Sequence, residues 1–147
     1  TDEQAQKSQI YLTRDQVFAT SGYKWANVQS KLPNSTVYVY NFNRKVPATG
    51  DMVKYGAFHT AEVSYVMDNL KFLNNRPFEP ADHALAKLMS GYWVNFIKTG
   101  NPNGNGLPEW PKYNTTQNLA KVFDAKTTTE KLPGKGGLDF LLSKAAK

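Results

Sequence analysis

Apolar residues recur at helical spacing between Pro80 and Gly100. Seven large side chains form one stripe there: Leu85, Leu88, Met89, Tyr92, Trp93, Phe96 and Ile97. Pro80 suits the first turn of a helix, and Glu79 and Asp82 favour its positive end. Gly100 suits the position after its last turn. The pattern predicts a long helix that starts at Pro80 and ends at Gly100.

The segment Thr36 to Phe42, TVYVYNF, is rich in β-branched and aromatic residues and predicts a strand. Both of its alternating faces are largely apolar or aromatic, which is typical of a strand covered on both sides in a parallel sheet. A parallel neighbour requires a crossover helix. The mixed helical spacing between Thr13 and Leu32 predicts a short helix or turn followed by a helix that ends near Lys31.

Three further elements follow from the apolar pattern. Spacings of three and four residues from Ala61 to Leu70 predict a helix that begins just after His59. Leu119 to Asp124 is a candidate last strand, and Gly137 to Ala146 a closing helix. The order helix, strand, helix, helix, strand, helix indicates an α/β fold.

The size of the chain allows one core of ordinary extent. It has 147 residues, of which 40% are hydrophobic and 13% aromatic, so we expect a single domain over residues 1–147. The first residues, TDEQAQKSQ, are polar, and residues 1–12 could form a disordered lead-in. The proline-rich loop from Asn101 to Tyr113 has Trp110 and Tyr113 as candidate anchors onto the body.

Charge and composition exclude several classes of function. The 18 basic and 12 acidic residues are scattered, and Arg44-Lys45 is the single adjacent basic pair, so no stripe for nucleic acid is formed. The absence of cysteine excludes disulfides, thiolate metal sites and a cysteine nucleophile. Two histidines, His59 and His83, do not provide metal-ligand spacing, and no glycine-rich loop fits a nucleotide cradle. We expect no metal and no cofactor.

No apolar run approaches the roughly 18 residues that a membrane-spanning helix needs. We therefore expect no membrane span. The chain begins with Thr1, which is compatible with a processed protein or with a piece of a longer one. We favour the second alternative, a piece of a longer protein.

His59 is the candidate for chemistry. It lies in GAFHTAEVSYVMDNL, at the predicted junction of a loop and a helix, where Gly56 and Ala57 leave space for a substrate. A lone histidine is commonly a buried structural residue, but an imidazole on a rigid loop beyond a strand can also transfer protons at neutral pH. Glu62 could cap the following helix or hold the local backbone, and the alternative is a role as an acidic partner.

Four motifs occur in the order VYVYNF, GAFHTAEVSYVMDNL, LMSGYWVNFIKTGNPNG and LPEWPKY. Over residues 13 to 147 this order resembles the C-terminal third of the type-B carboxylesterases, the α/β-hydrolases that include cholinesterases and bacterial para-nitrobenzyl esterases. The resemblance implies the last strands of a central sheet with flanking helices. The family's triad histidine lies in a Gly-Ala/Val-x-His-Gly-x-Glu pattern, which carries over to Gly56, Ala57, His59 and Glu62. The family usually has glycine where this sequence has Thr60, a residue with a less permissive backbone.

The resemblance also implies what the chain lacks. The Gly-x-Ser-x-Gly elbow and the glycine-rich oxyanion loop are absent from the 147 residues, and the family's triad acid lies upstream. Because the triad order is Ser, acid, His, we expect a C-terminal fragment of a serine carboxylesterase that hydrolyses carboxylic esters, inactive on its own. The resemblance favours a secreted or periplasmic parent.

Two other functions stay open at this point. The chain could belong to a non-catalytic adhesion or scaffold protein of the same fold, because fold does not fix function. It could also be a small binding module that uses Trp110 and Tyr113 as an aromatic platform. In the fragment hypothesis the strand Thr36 to Phe42 has an uncovered edge, so we expect self-association through that edge.

Overall fold

The computed structural model describes residues 1–145, and their contacts divide into two compact units. One unit contains Thr1–Val39, Lys112–Leu119 and the chain from Lys131 to the end of the described residues. The other contains Tyr40–Pro111 and Ala120–Glu130. Within residues 1–145, none of the helices combines the length and the hydropathy that a membrane-spanning helix requires.

The first unit begins with a helix that is continuous from residue 2 to residue 29. It consists of α1 (Asp2–Arg14), a π-helical turn (Asp15–Ala19) and α2 (Thr20–Gln29). The predicted disordered lead-in over residues 1–12 is therefore absent. Thr1 caps the helix, and residues 2–12 are helical. The reason is local: Thr1 and Gln4 form a capping box, and Lys7 pairs with Glu3 at 2.8 Å.

The core of the first unit centres on Tyr23, Tyr113 and Leu138. The Tyr113 hydroxyl donates to the Asn27 side chain at 2.7 Å, and the Tyr113 backbone N–H donates to the Val37 carbonyl at 2.7 Å. Leu138 comes from α5 (Lys135–Ala145). The predicted closing helix is thus present, and its predicted end at Ala146 lies outside the described residues.

Three short strands form one sheet in the order β1, β2, β3. They are β1 (Tyr40–Phe42), β2 (Leu119–Phe123) and β3 (Thr128–Lys131). β1 and β2 are parallel, with Tyr40 opposite Lys121 and Phe42 opposite Phe123, as the sequence predicted for a parallel sheet. Only the last three residues of the predicted strand Thr36–Phe42 join the ladder. β3 was missed because its residues are polar and mostly exposed.

The helices of the second unit are α3 (Val63–Val66) and α4 (Pro80–Thr99), together with 3-10 turns at Gly50–Tyr55 and Leu70–Phe72. α4 has the predicted bounds, with Glu79 as its N-cap and Gly100 in the left-handed conformation after its last turn. α3 is much shorter than the predicted helix Ala61–Leu70. The chain leaves the helical conformation at Asp68, whose φ is 48°.

Aromatic side chains pack α4 against the sheet. The rings of Tyr40, Tyr92, Trp93, Trp110 and Phe123 lie with centroids 5.2 to 6.2 Å apart. Edge-on and tilted contacts of this kind stabilise a core beyond the area that they bury.

Buried anchors hold the proline-rich loop that follows α4. The Asn103 side chain accepts from the Trp110 backbone N–H at 2.6 Å and donates to the Trp110 carbonyl at 2.9 Å. Lys121, 2% exposed, donates to the Glu109 carbonyl at 2.7 Å. Trp110 and Tyr113 are each 4% exposed, which confirms the prediction that these two side chains anchor the loop. The alternative of an aromatic binding platform is wrong, because neither ring is accessible to a ligand.

Candidate functional site

The loop that carries His59 begins where β1 ends. The backbone N–H groups of Asn43 and Arg44 both donate to the Phe123 carbonyl, at 2.8 and 3.2 Å, so the sheet fixes the point where the chain leaves it. Further on, the Val46 N–H donates to the Gly56 carbonyl at 3.2 Å and closes the loop. Gly56 has φ 54° and ψ −122°, a conformation available essentially to glycine alone.

His59 lies in a tight turn. The Ala61 N–H donates to the Phe58 carbonyl at 3.0 Å, so His59 and Thr60 are the two central residues of the turn. Thr60 has φ 70°, which is the pattern of a type II turn, where the second central position is normally glycine or asparagine. Thr60 therefore adopts the left-handed conformation although it is β-branched, at a cost of about 1–2 kcal/mol.

The His59 side chain is exposed, whereas the residues on either side of its turn are anchored. Ala61 is 3% exposed, and the guanidinium of Arg76 lies 5.3 Å from the centre of the Phe58 ring. A substrate or a second protein segment can thus reach the imidazole. His83, the other histidine, is also exposed and lies in the first turn of α4 with its ring against Phe78.

Glu62 lies at the N-cap position of α3 but makes no capping hydrogen bond with its side chain to the described part of the chain. Of the two structural roles predicted for Glu62, the cap is therefore absent, whereas holding the local backbone stays a prediction, as does the alternative of an acidic partner. Burial raises the pKa of the Tyr40 hydroxyl, and the negative charge of Glu62 raises it further. The half-buried carboxylate of Glu62 is thus close enough to β1 to act on Tyr40 electrostatically.

A buried carboxylate joins the segments that flank the His59 turn. Asp82 is fully buried and accepts two hydrogen bonds from Arg44, Nε to Oδ1 at 2.8 Å and Nη2 to Oδ2 at 2.9 Å. The Tyr65 hydroxyl donates to Asp82 Oδ1 at 2.7 Å, and the Glu79 N–H donates to Oδ2 at 2.9 Å. Arg44 also reaches the Glu79 carboxylate at 3.0 Å. We call these four residues the Asp82 network.

Within the Asp82 network, the buried charge of Asp82 is compensated by that of Arg44. Burial alone would raise the pKa of Asp82, but hydrogen bonds from Arg44, Tyr65 and the Glu79 N–H hold that pKa below its ordinary value. Burial, together with the hydrogen bond to Asp82, raises the pKa of Tyr65. The carboxylate therefore stays ionised in the core, where it holds three donors in fixed positions.

The Asp82 network anchors the chain on both sides of His59. Arg44 lies two residues beyond β1, Tyr65 lies in α3 and Asp82 lies in the first turn of α4. The only role predicted for Asp82 from the sequence was a favourable interaction with the positive end of the helix dipole. Its position three residues before Leu85 and seven before Met89, on the buried face of α4, was the signal that a partner was needed.

The chain is similar to known proteins of one family. Residues 1–140 match the model of the carboxylesterase family. Carboxylesterase 4A of Bos taurus is 34% identical over 125 residues, which cover 80% of this chain and 21% of the bovine protein. Liver carboxylesterase 1 of Oryctolagus cuniculus is 27% identical over 139 residues, which cover 92% of this chain and 24% of the rabbit protein.

Solved structures give the same result. A thermophilic pNB esterase superposes with a TM-score of 0.77 at 26% identity, over 90% of this chain and 27% of that protein. A carboxylesterase of Geobacillus stearothermophilus superposes with a TM-score of 0.71 at 28% identity, over 90% of this chain and 27% of that protein. The chain spans about a quarter of the length of the relatives that it matches. It is a mixed α/β segment that matches part of an α/β-hydrolase fold, and it belongs to the carboxylesterase family.

Proposed function

We propose that this chain is the C-terminal segment of a serine carboxylesterase and that His59 is the triad histidine of the intact enzyme. The observation that carries the proposal is the exposed imidazole of His59 on a turn whose flanking segments are tied to the sheet and to α4. General-base catalysis needs an imidazole that is both accessible and held in one position.

In the intact enzyme His59 would remove the proton from a serine hydroxyl supplied by another part of the protein as that hydroxyl attacks the ester carbonyl. The imidazolium would then protonate the departing alcohol, and an acidic residue supplied elsewhere would fix the ring's tautomer. The substrate is a carboxylic ester. Because this chain has no Gly-x-Ser-x-Gly elbow, it supplies only the proton carrier and would be inactive alone.

A hydrolysis assay of the longer protein on short-chain aryl esters tests this role. Replacement of His59 by alanine should lower kcat/KM by at least about 10²-fold. His83→Ala is the matched control, because His83 is an exposed histidine on α4, and it should retain wild-type turnover. A His59→Ala enzyme that keeps most of its turnover would refute the proposal.

A non-catalytic adhesion or scaffold protein of the same fold is the second candidate, because family membership does not require a nucleophile. The residue at the elbow position upstream distinguishes the two. A serine there favours the esterase, and any other residue favours the scaffold protein, in which His59 would have no proton to accept.

A further inference from the structure

The guanidinium of Arg76 connects two parts of the loop that carries His59. Its Nη1 donates to the Pro47 carbonyl at 3.2 Å, and its Cζ lies 5.3 Å from the centre of the Phe58 ring. Pro47 lies near the start of the loop, and Phe58 is the residue before His59. All four residues belong to one compact unit. We call Arg76, Pro47 and Phe58 the Arg76 clamp.

Arg76 is itself held by the backbone on either side of it. Its N–H donates to the Leu73 carbonyl at 3.2 Å, and its own carbonyl accepts from the Phe78 N–H at 2.9 Å. Pro77 lies between Arg76 and Phe78, and the proline ring fixes φ near −65°. The half-buried Arg76 side chain therefore extends from a short segment whose backbone is hydrogen-bonded, just before α4 begins at Pro80.

The two contacts of Arg76 require the chemistry of a guanidinium. Its N–H groups donate in the plane of the group, while its flat face stays available to stack on an aromatic ring. A lysine ammonium is a compact, strongly hydrated charge and cannot replace both contacts at once. Among residues 1–145 no ion pair involves Arg76, so a carboxylate does not draw the guanidinium away from the loop.

The contact with Phe58 acts on the first residue of the His59 turn. The two central residues of that turn, His59 and Thr60, are both exposed, so the position of the imidazole depends on the two ends of the turn. Ala61 at one end is 3% exposed and is fixed by burial. Phe58 at the other end is only half-buried, and the Arg76 guanidinium lies on its ring.

We propose that Arg76 is a positioning residue for His59, which it holds in place through Phe58 and the Pro47 carbonyl. The Asp82 network fixes the segments before and after the loop, whereas the Arg76 clamp fixes the turn itself. The inference rests on the proposed function, because the accurate position of the imidazole matters to a reaction only if His59 transfers a proton. Misplacement of a catalytic group by about 1 Å can lower the rate by about 10²-fold.

Backbone ¹⁵N relaxation of the 147-residue chain tests the clamp without any substrate. In the wild-type chain the His59 and Thr60 amides should have order parameters near the roughly 0.85 of a rigid backbone, and in Arg76→Ala these should fall below about 0.6. Arg76→Lys should resemble Arg76→Ala, because an ammonium does not make both contacts. A turn that stays rigid in Arg76→Ala, or one that is already mobile in the wild-type chain, would overturn the proposal.

Two further variants separate a loosened turn from a loss of folding. Lys71→Ala is the matched control, because Lys71 also lies over a phenylalanine ring, 5.1 Å from the centre of Phe72, and its loss should leave the His59 turn rigid. Phe58→Leu removes the aromatic ring and leaves the bond from Arg76 to Pro47 in place, and it should also loosen the turn. The amides of α4 should keep high order parameters in every variant. A rigid turn in Phe58→Leu, or equal loosening in Lys71→Ala, would contradict the clamp.

Kinetics of the proposed longer enzyme test the positioning role. With kcat referred to the serines that a fluorophosphonate titrates, Arg76→Ala should lower kcat and kcat/KM equally, by about 10²-fold. KM should stay unchanged, and Lys71→Ala should retain both constants. A structural role alone would lower the number of titrated serines and not the rate at each of them. Full turnover for each titrated serine in Arg76→Ala would refute the positioning role.

His59→Ala distinguishes the failure of this inference from the failure of the proposed function. If His59→Ala loses its turnover and Arg76→Ala keeps it, the proposed function stands and the positioning role is wrong. If His59→Ala keeps its turnover, the proposed function fails, and with it the catalytic role of the clamp. The relaxation experiment would still decide whether Arg76 holds the turn.

Discussion

Arg44 binds the buried carboxylate of Asp82 through two parallel hydrogen bonds, 2.8 Å from Nε and 2.9 Å from Nη2. The pair connects the loop after β1 to the first turn of α4. Because Tyr65 donates to the same carboxylate, the pair also fixes α3, which follows the His59 turn directly. The exposed side chain of His59, the proposed proton carrier, is thus supported by a buried ionic network.

The first prediction concerns the loss of that carboxylate. Asp82→Ala should lower the free energy of unfolding by about 3–5 kcal/mol, because Arg44 is left as a charge without its buried partner. Asp51→Ala is the matched control: Asp51 is an exposed acidic residue in a 3-10 turn, and its loss should change stability by less than about 0.5 kcal/mol. Urea unfolding measures both, and equal effects of the two changes would contradict the role of the Asp82 network.

The second prediction concerns pH. The pKa of Asp82 is lowered in the folded chain, so near pH 4 the unfolded chain binds more protons at this residue than the folded chain does. The stabilisation is complete above the ordinary aspartate pKa of about 3.9 and is lost as the pH falls through the lower folded value. The urea midpoint should decline between pH 5 and pH 3 more steeply for the wild-type chain than for Asp82→Asn. Parallel declines would show that Asp82 does not contribute.

The third prediction concerns the backbone beside His59. Thr60→Gly should stabilise the chain by about 1 kcal/mol, because glycine removes the cost of a positive φ and offsets this only partly by its flexibility in the unfolded state. Thr49→Gly is the control, since Thr49 has φ −120° and should lose about 0.5–1 kcal/mol. A destabilised Thr60→Gly chain would show that the turn does not have this conformation in solution.

The fourth prediction concerns the proline-rich loop. Asn103→Ala removes two hydrogen bonds to the backbone of Trp110, whose side chain is buried in the aromatic core, and should cost about 1–3 kcal/mol. Asn105 is exposed in the same loop, so Asn105→Ala should be nearly neutral. Thermal unfolding followed by tryptophan fluorescence compares the two variants. An equal midpoint for both would mean that the Asn103 bonds do not hold the loop.

Local signals predicted the elements whose ends are encoded by single residues. Pro80 and Gly100 set the limits of α4, and the apolar pattern located β2. The helix α1 was missed because its stability comes from a cap and an ion pair and not from an apolar stripe. The extent of β1 depends on pairing with β2, about 80 residues away, which no local pattern contains.

The candidate site could be predicted only in part, because some of its contacts join residues that are far apart in the sequence. His59 and the glycine at position 56 follow from a contiguous motif, whereas Asp82 binds Tyr65 and Arg44, which lie 17 and 38 positions away. Asp82 lies on the apolar face of α4, where a carboxylate needs a partner, but the sequence prediction for it covered only the positive end of the helix. The identity of the partner, Arg44, could be read only from the folded chain.

The most direct test of the central claim is the rate at which a fluorophosphonate labels the proposed nucleophilic serine of the proposed longer enzyme. The probe reacts with a serine only when a base activates the hydroxyl, so labelling reports on the histidine without reference to any particular ester. We predict that His59→Gln lowers the labelling rate by at least about 10²-fold, while His83→Gln leaves it unchanged. Equal labelling of the wild-type protein and His59→Gln would show that another residue takes the proton.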